Sequence, residues 1–293
     1  MAREVFQYGG QAVIEGVMMR GPRKMAVAVR RADGDIALEI SDSPPWATLS
    51  RFLSLPMVRG VVGLIESLVV GIQVLTFSAN MAVGEDEEQL RVMDIVLSLL
   101  VAVAVAVLLF VVLPTAGGLV FSGLPLWGQN LIEGGLRLAI FILYLVAISR
   151  MRDIRRVFAY HGAEHKVIHA YEAGRPLEVP EVRPFSTLHP RCGTSFLLIV
   201  LLLTVLFFSL VPASTLGMRI VSRVVLLPLV AGTGYELLKL SSRNMDKAVV
   251  RWLVTPGLWV QKLTTREPDD AQLEVAISAL QAVLAGKEKV VTP

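Results

Sequence analysis

The chain has one cysteine, four histidines and few charges, and each scarcity excludes something. A single cysteine, Cys192, rules out an internal disulfide and leaves a buried small residue, a reactive thiol or a metal ligand. Charged residues make up 18% of the sequence. A soluble domain of this length carries about 25%, so the shortfall argues against a water-soluble globule. The formal net charge of +3 is small, and the basic residues stand in blocks rather than along one face. That pattern reads as membrane orientation, with no nucleic-acid partner expected. The first thirty residues hold Arg3, Arg20, Arg23, Lys24 and Arg30 but no apolar core, so no cleaved signal peptide is expected.

What is abundant is apolar sequence, at 54% of the chain. A bilayer core of roughly 30 Å needs about twenty apolar residues in helix. Residues 95–113, stopping at Pro114, and the uncharged run 196–211, ending at Pro212, meet this. Residues 131–149 carry Glu133 and Arg137 near one end, spaced to pair at i,i+4 and to snorkel. Residues 220–240 are interrupted by Pro228, Gly232 and Gly234 and carry Glu236 and Lys239 near the far end. In residues 58–82, Arg59, Glu66, Gln73 and Asn80 recur every seven positions and draw a polar seam down an apolar helix. The segment is either a fifth span with its seam turned inward or a helix lying in, or dipping into, the interface.

Charge placement bears on that choice. Residues 150–191 hold eight Lys/Arg and residues 114–130 hold none, so the positive-inside rule puts the former in the cytoplasm. The acidic stretch 84–88 then lies inside, and a full crossing by residues 58–82 would put the N-terminal basic residues outside. An interfacial or re-entrant helix is therefore expected, with both termini cytoplasmic; Arg219 and Arg223 near an external turn are a counter-signal. Ahead of it, residues 24–31 and 35–40 read as strands around the turn signal Ala32-Asp33-Gly34. At the other end, Glu267-Pro268-Asp269-Asp270 opens a helix with an apolar stripe of Leu273, Ile277, Leu280 and Leu284, suited to docking or oligomerisation.

Every histidine and the cysteine fall between residues 161 and 192. His161, His165 and His169 are spaced four apart, which lines them up on one face of a helix. Neighbouring pairs can grip one ion. His161 and His169, about 12 Å apart, cannot share one, so the choice is His161/His165, His165/His169 or two ions. His189 and Cys192 flank a proline turn able to fold back onto the helix, completing an N/S set suited to zinc. Four ligands would make a structural site, and three would leave a position open for catalysis. His161-Gly162-Ala163-Glu164-His165 also matches H-x-x-E-H, the inverted zinc-protease pattern, with Glu164 as base and Glu172 or Glu236 as acidic ligand. Glu15, among apolar neighbours, is a second candidate acid/base. Glu236 competes between function and a pairing with Lys239, and Gly232, Gly234 and Tyr235 suit close helix packing or another backbone's approach.

The run 9–22, Gly-Gly-Gln-Ala-Val-Ile-Glu-Gly-Val-Met-Met-Arg-Gly-Pro, resembles the opening signature of the bacterial DUF1385 (YqhQ-like) membrane protein family. Residues 160–166 (Tyr-His-Gly-Ala-Glu-His-Lys), 189–196 (His-Pro-Arg-Cys-Gly-Thr-Ser-Phe), 234–239 and 256–268 resemble it too, and no motif departs from the pattern. The resemblance covers nearly the whole chain and implies a predicted metal-dependent enzyme without naming a substrate.

The expected architecture is mainly α: a polytopic helical membrane bundle of about four spans plus one interfacial or re-entrant helix, with a small N-terminal β element. Residues 1–56 form the cytoplasmic β-rich segment, 57–260 the bundle with its His/Cys loop 150–194, and 261–293 a cytoplasmic amphipathic helix. The expected function is metal-assisted hydrolysis at the cytoplasmic face of a bacterial inner membrane, with a divalent transition metal, zinc by preference, as cofactor. His161, His165, His169, His189 and Cys192 are the candidate ligands. Partners are the lipid bilayer and an unknown membrane-proximal substrate, and a homo-oligomer is compatible. The alternative is a non-enzymatic scaffold, assembly factor or transporter with a structural metal, motivated by the polar seam and the interrupted span.

Overall fold

The computed structural model describes residues 8–82, 92–211 and 215–285. The acidic segment 84–88 and Pro212 lie outside the described residues. The N-terminal run forms an antiparallel meander of four strands, β1 (Gly9–Val13), β2 (Gly16–Arg20), β3 (Lys24–Arg30) and β4 (Ile36–Asp42), in that order. β3 and β4 are the two strands expected around Gly34, whose φ of +94° needs a residue without Cβ. The motif ahead of them is itself the β1–β2 hairpin. Strand alternation then sorts the side chains. Val17, Met19, Ala26 and Ala28 enter one core, and Val13, Met18, Val27 and Val29 enter another. The sheet is buried on both faces.

One face is covered by α1 (Val58–Ala82), through Val70 and Val74. In its polar seam, Glu66 pairs with Arg20 of β2 and accepts the Trp46 N–H at 3.1 Å, while Arg59 pairs with Glu236. Ile65 and Leu68, on the side away from the sheet, are exposed. The other face is covered by α5 (Arg152–Glu172) and α10 (Asp270–Ala285). α10 starts as its acidic signal predicts, with the Gln272 N–H donated to Asp269 Oδ1 at 2.8 Å. Leu273, Ile277 and Leu280 are buried and Leu284 is not, but Val275, Ala276 and Ala279 are buried as well. α10 is therefore a core helix of this layer, and β2, β3, α5 and α10 share one core.

The apolar part holds α2 (Val92–Val107), α3 (Leu113–Val120), α4 (Leu126–Ile148), α7 (Gly193–Ser209), α8 (Leu216–Arg243) and α9 (Ala248–Thr264). The short α6 (Val179–Val182) sits in the loop after α5. Among the described residues, four helices are long and apolar enough to cross a bilayer: Val58–Ala82, Met93–Val120, Leu126–Ile148 and Gly217–Arg243. α1 thus qualifies by length, whereas α7, expected as a clear span, has 17 residues, about 26 Å of helix.

Three expectations need correction. Pro114 does not end its helix, because a π-helical turn at Leu108–Val112 joins α2 to α3 and absorbs the proline's missing N–H. α8 runs unbroken through Pro228, Gly232 and Gly234. Gly232 instead admits α1: a Cβ there would stand 2.7 Å from the Met57 carbonyl oxygen. Glu133 and Arg137 do pair, at 2.7 Å, but they are buried rather than snorkelling, and Arg219 and Arg223 turn inward to the same carboxylate. The helix α9 was not foreseen, although Val249, Trp252, Leu253 and Trp259 keep helical spacing; all four are exposed.

Replacing Leu280 by Ala is expected to cost about 2–5 kcal/mol, as for a fully enclosed leucine, whereas Leu284→Ala, at a 37% exposed position, costs far less. Chemical denaturation of the two variants in detergent checks this; equal losses would contradict the packing of α10.

Candidate metal centre

The three helical histidines occupy the stretch of α5 that faces residues 187–192 and the end of α9. Glycine makes this close approach possible. A Cβ on Gly162 would stand 2.0 Å from the Arg266 carbonyl oxygen and 3.2 Å from Thr187 Cγ2. The Arg266 N–H in turn donates to the Phe158 carbonyl at 2.8 Å, tying this segment to α5.

Both approaching segments supply backbone carbonyls to the rings. His161 Nδ1 lies 2.8 Å from Thr264 O, His165 Nδ1 lies 2.6 Å from Thr187 O, and His169 Nε2 lies 2.9 Å from Leu188 O. A carbonyl oxygen can only accept, so each of these nitrogens carries the proton. In the neutral rings the lone pair is then left on Nε2 of His161 and His165 and on Nδ1 of His169. A backbone acceptor behind the ring is the usual way a metal-ligating histidine is oriented.

Cys192 is the N-cap of α7, where its Sγ accepts the Thr194 N–H at 3.4 Å. The same sulfur stands 3.3 Å from His161 Nε2. The donor atoms of His161, His165 and Cys192 all lie within 4.8 Å of one another, and those of His169, Glu172 and His189 form a second such group. The rings make a continuous row, with centroid spacings of 4.5 Å from His161 to His165, 5.5 Å on to His189 and 4.6 Å on to His169. Of the expected quartet, His161, His165 and Cys192 fall in the first group and His189 in the second, and all four line one cleft. His161 and His169 fall in different groups.

The second group is less free. Glu172 pairs with Arg191 and stands 3.8 Å from His189 Nε2. Burial works to raise its carboxyl, but the His189 and Arg191 contacts outweigh this and hold it at about 2. Burial pushes His189 down to about 4 against the pull of Glu172, with the Arg191 guanidinium adding to the fall. His189 is thus neutral at neutral pH. Its backbone is clamped by the buried Gln261, which accepts the His189 N–H at 2.9 Å and donates to the His189 carbonyl at 2.8 Å.

Glu164 shares a cleft of about 100 Å³ with His161, His165, His189, Cys192 and the start of β1. Its Oε1 accepts the Gly10 N–H at 2.9 Å. Burial raises its pKa, with His161 and the Gly10 N–H working the other way. A Cβ on Gly10 would come within 3.1 Å of Glu164 Cγ.

The remaining candidates lie elsewhere. Glu15 sits at the β1–β2 turn with φ 51°, paired with Arg156 and 3.4 Å from the Tyr160 hydroxyl; it does not line the cleft. Glu236 accepts from Arg59 Nε at 2.7 Å and from the Met57 N–H at 3.3 Å, and forms an ion pair with Arg59. Tyr235 packs where α1 crosses α8, its Cβ 2.8 Å from a Cβ built on Gly60. Sequence reasoning missed Gln261, Gly162 and the carbonyls of Thr187, Leu188 and Thr264. Backbone acceptors leave no trace in side-chain patterns.

A protein-family model described as "Protein of unknown function (DUF1385)" matches residues 55–286. The chain belongs to this family. It is 36% identical over 296 residues to the "Uncharacterized protein YqhQ" of Bacillus subtilis (strain 168), covering 94% of this chain and 92% of that protein. No solved structure matches the chain.

Gly162→Ala is expected to destabilise the protein by about 1–3 kcal/mol, because the added methyl must push the crossing segment off α5. A melting curve indistinguishable from wild type would show that residues 264–266 do not bear on the helix.

Proposed function

We propose that this protein is a membrane-embedded, metal-dependent hydrolase whose centre is held by His161 Nε2, His165 Nε2 and Cys192 Sγ at the cytoplasmic surface. The observation that carries this reading is the convergence of three donors, two of them imidazoles whose tautomer is preset by backbone carbonyls, beside a buried carboxylate in one cleft. Two imidazoles and a thiolate are a zinc-type donor set, and three protein ligands rather than four favour catalysis over a structural role. A divalent ion held there supplies Lewis acidity toward a carbonyl or phosphoryl oxygen and toward water.

The chain's own groups do the rest. Glu164, anchored through Oε1 by the Gly10 N–H, keeps Oε2 to take a proton from water in the cleft and to return it to a leaving group. Gln261 holds the His189–Cys192 turn, and with it the sulfur, against α5.

The eight Lys/Arg of residues 150–191 against none in 114–130 support a cytoplasmic cleft. The sheet on one side of α1 and exposed Ile65 and Leu68 on the other support α1 as an interfacial helix bearing the sheet against the bilayer. Exposed Trp252 and Trp259 support the same depth for α9.

Full-length protein purified in detergent without chelators is expected to carry about one zinc per chain. His165→Ala and Cys192→Ala lose it, while Glu164→Gln keeps it. Wild-type protein free of transition metal sinks the proposal. The 3.3 Å contact of Cys192 with His161 would then favour a thiol–imidazole nucleophile instead, read out as fast alkylation of Cys192 by iodoacetamide.

Topology has its own test. In a Cys192→Ser background, Gly123→Cys is expected to react with a membrane-impermeant maleimide in intact cells, and Ala32→Cys only after lysis. The reverse pattern would move the cleft to the outer face.

A further inference from the structure

A second constellation lies at the other ends of α4 and α8, where polar groups are enclosed among apolar helices. Three guanidiniums converge on one carboxylate: Glu133 is 2.7 Å from Arg137, 3.2 Å from Arg223 and 4.0 Å from Arg219. All four residues are at most 5% exposed. Neutral oxygens take part of the remaining donor capacity, with Asn130 Oδ1 3.0 Å from Arg223 and Gln129 Oε1 2.6 Å from Arg219. Among the described residues, Glu133 is the carboxylate paired with the two groove-lining arginines, Arg137 and Arg223, so two positive charges there face one negative. Ionisable groups kept inside a membrane bundle generally mark a ligand or ion site.

The cationic cluster forms one end of a groove. A cavity of about 330 Å³ between α4, α7 and α8 has Arg137, Arg223 and Phe208 at one end and Leu145 and Leu197 at the other. From Leu197 to Phe208 along α7 is about 16 Å. The Phe208 ring lies under both guanidiniums, at 4.4 Å from Arg223 and 5.3 Å from Arg137. The walls between the ends are almost wholly apolar. A free inorganic anion would answer the charge but leave the walls empty, and a zwitterionic lipid would fill the walls while leaving the charge.

We propose that this groove binds an anionic phospholipid, its phosphate against Arg137 and Arg223 and one acyl chain along the apolar wall toward Leu197. The site is separate from the histidine cleft and does not depend on a metal there.

The test is binding of the full-length protein to nanodiscs or micelles doped with phosphatidylglycerol, with phosphatidylcholine and inorganic phosphate as the comparison probes. Phosphatidylglycerol is expected to bind about tenfold more tightly than phosphatidylcholine, in line with charge-assisted hydrogen bonds to a desolvated phosphate. Phosphate alone should neither bind nor raise the melting temperature. Arg223→Gln is expected to abolish the preference. Should that variant fail to fold, Leu227→Trp decides, since it fills the groove from a lipid-facing position and leaves every arginine in place; it too must lose the preference. Equal binding of both lipids overturns the proposal. So does a preference that survives Leu227→Trp, or stabilisation by phosphate alone.

Discussion

The arrangement rests on a close crossing of backbones. Residues 187–189 and 264–266 lie against α5 because Gly162 presents no side chain to them. Their carbonyl oxygens then decide which nitrogen of each helical histidine holds a proton. Without those acceptors the three rings would be free to choose either tautomer, and a set of lone pairs aimed together would cost rotamer and tautomer entropy on every binding event. The crossing explains why the centre is assembled from the loop after α5, the start of α7 and the end of α9, rather than from one local motif.

A second constraint is the two-faced sheet. Both surfaces of the meander are apolar, so it needs a layer on each side. α5 and α10 supply one, and α1 the other. The same α5 that carries the histidines is thus fixed to β1, which brings the Gly10 N–H to Glu164. α1, fixed to the opposite face, couples this layer to α8 through Arg59 and Glu236. The cleft and the apolar bundle also meet directly, because Cys192 and Gly193 at the start of α7 line the cleft.

Much of this was legible in advance. The four-residue spacing of His161, His165 and His169 and the proline turn before Cys192 specify a helix and a return, and both are present. The β3–β4 turn and the start of α10 follow from Gly34 and from Asp269. Other features were not legible, each for a physical reason. Proline and glycine in α8 read as interruptions, because local propensity carries no information about a neighbouring helix that needs the space. Arg219 and Arg223 read as loop charges, because their partner Glu133 lies on another helix.

By itself the sequence determined the inventory and the periodicity: which residues can bind metal, which helical face they share, and how much apolar length is available. Those properties are local, set by side-chain chemistry and the pitch of the helix. Only the tertiary structure decided the division of the donors into two groups, the burial of Glu164 and the pairing of each arginine. These depend on contacts between residues up to 154 positions apart, where close packing, not spacing along the chain, selects the partner.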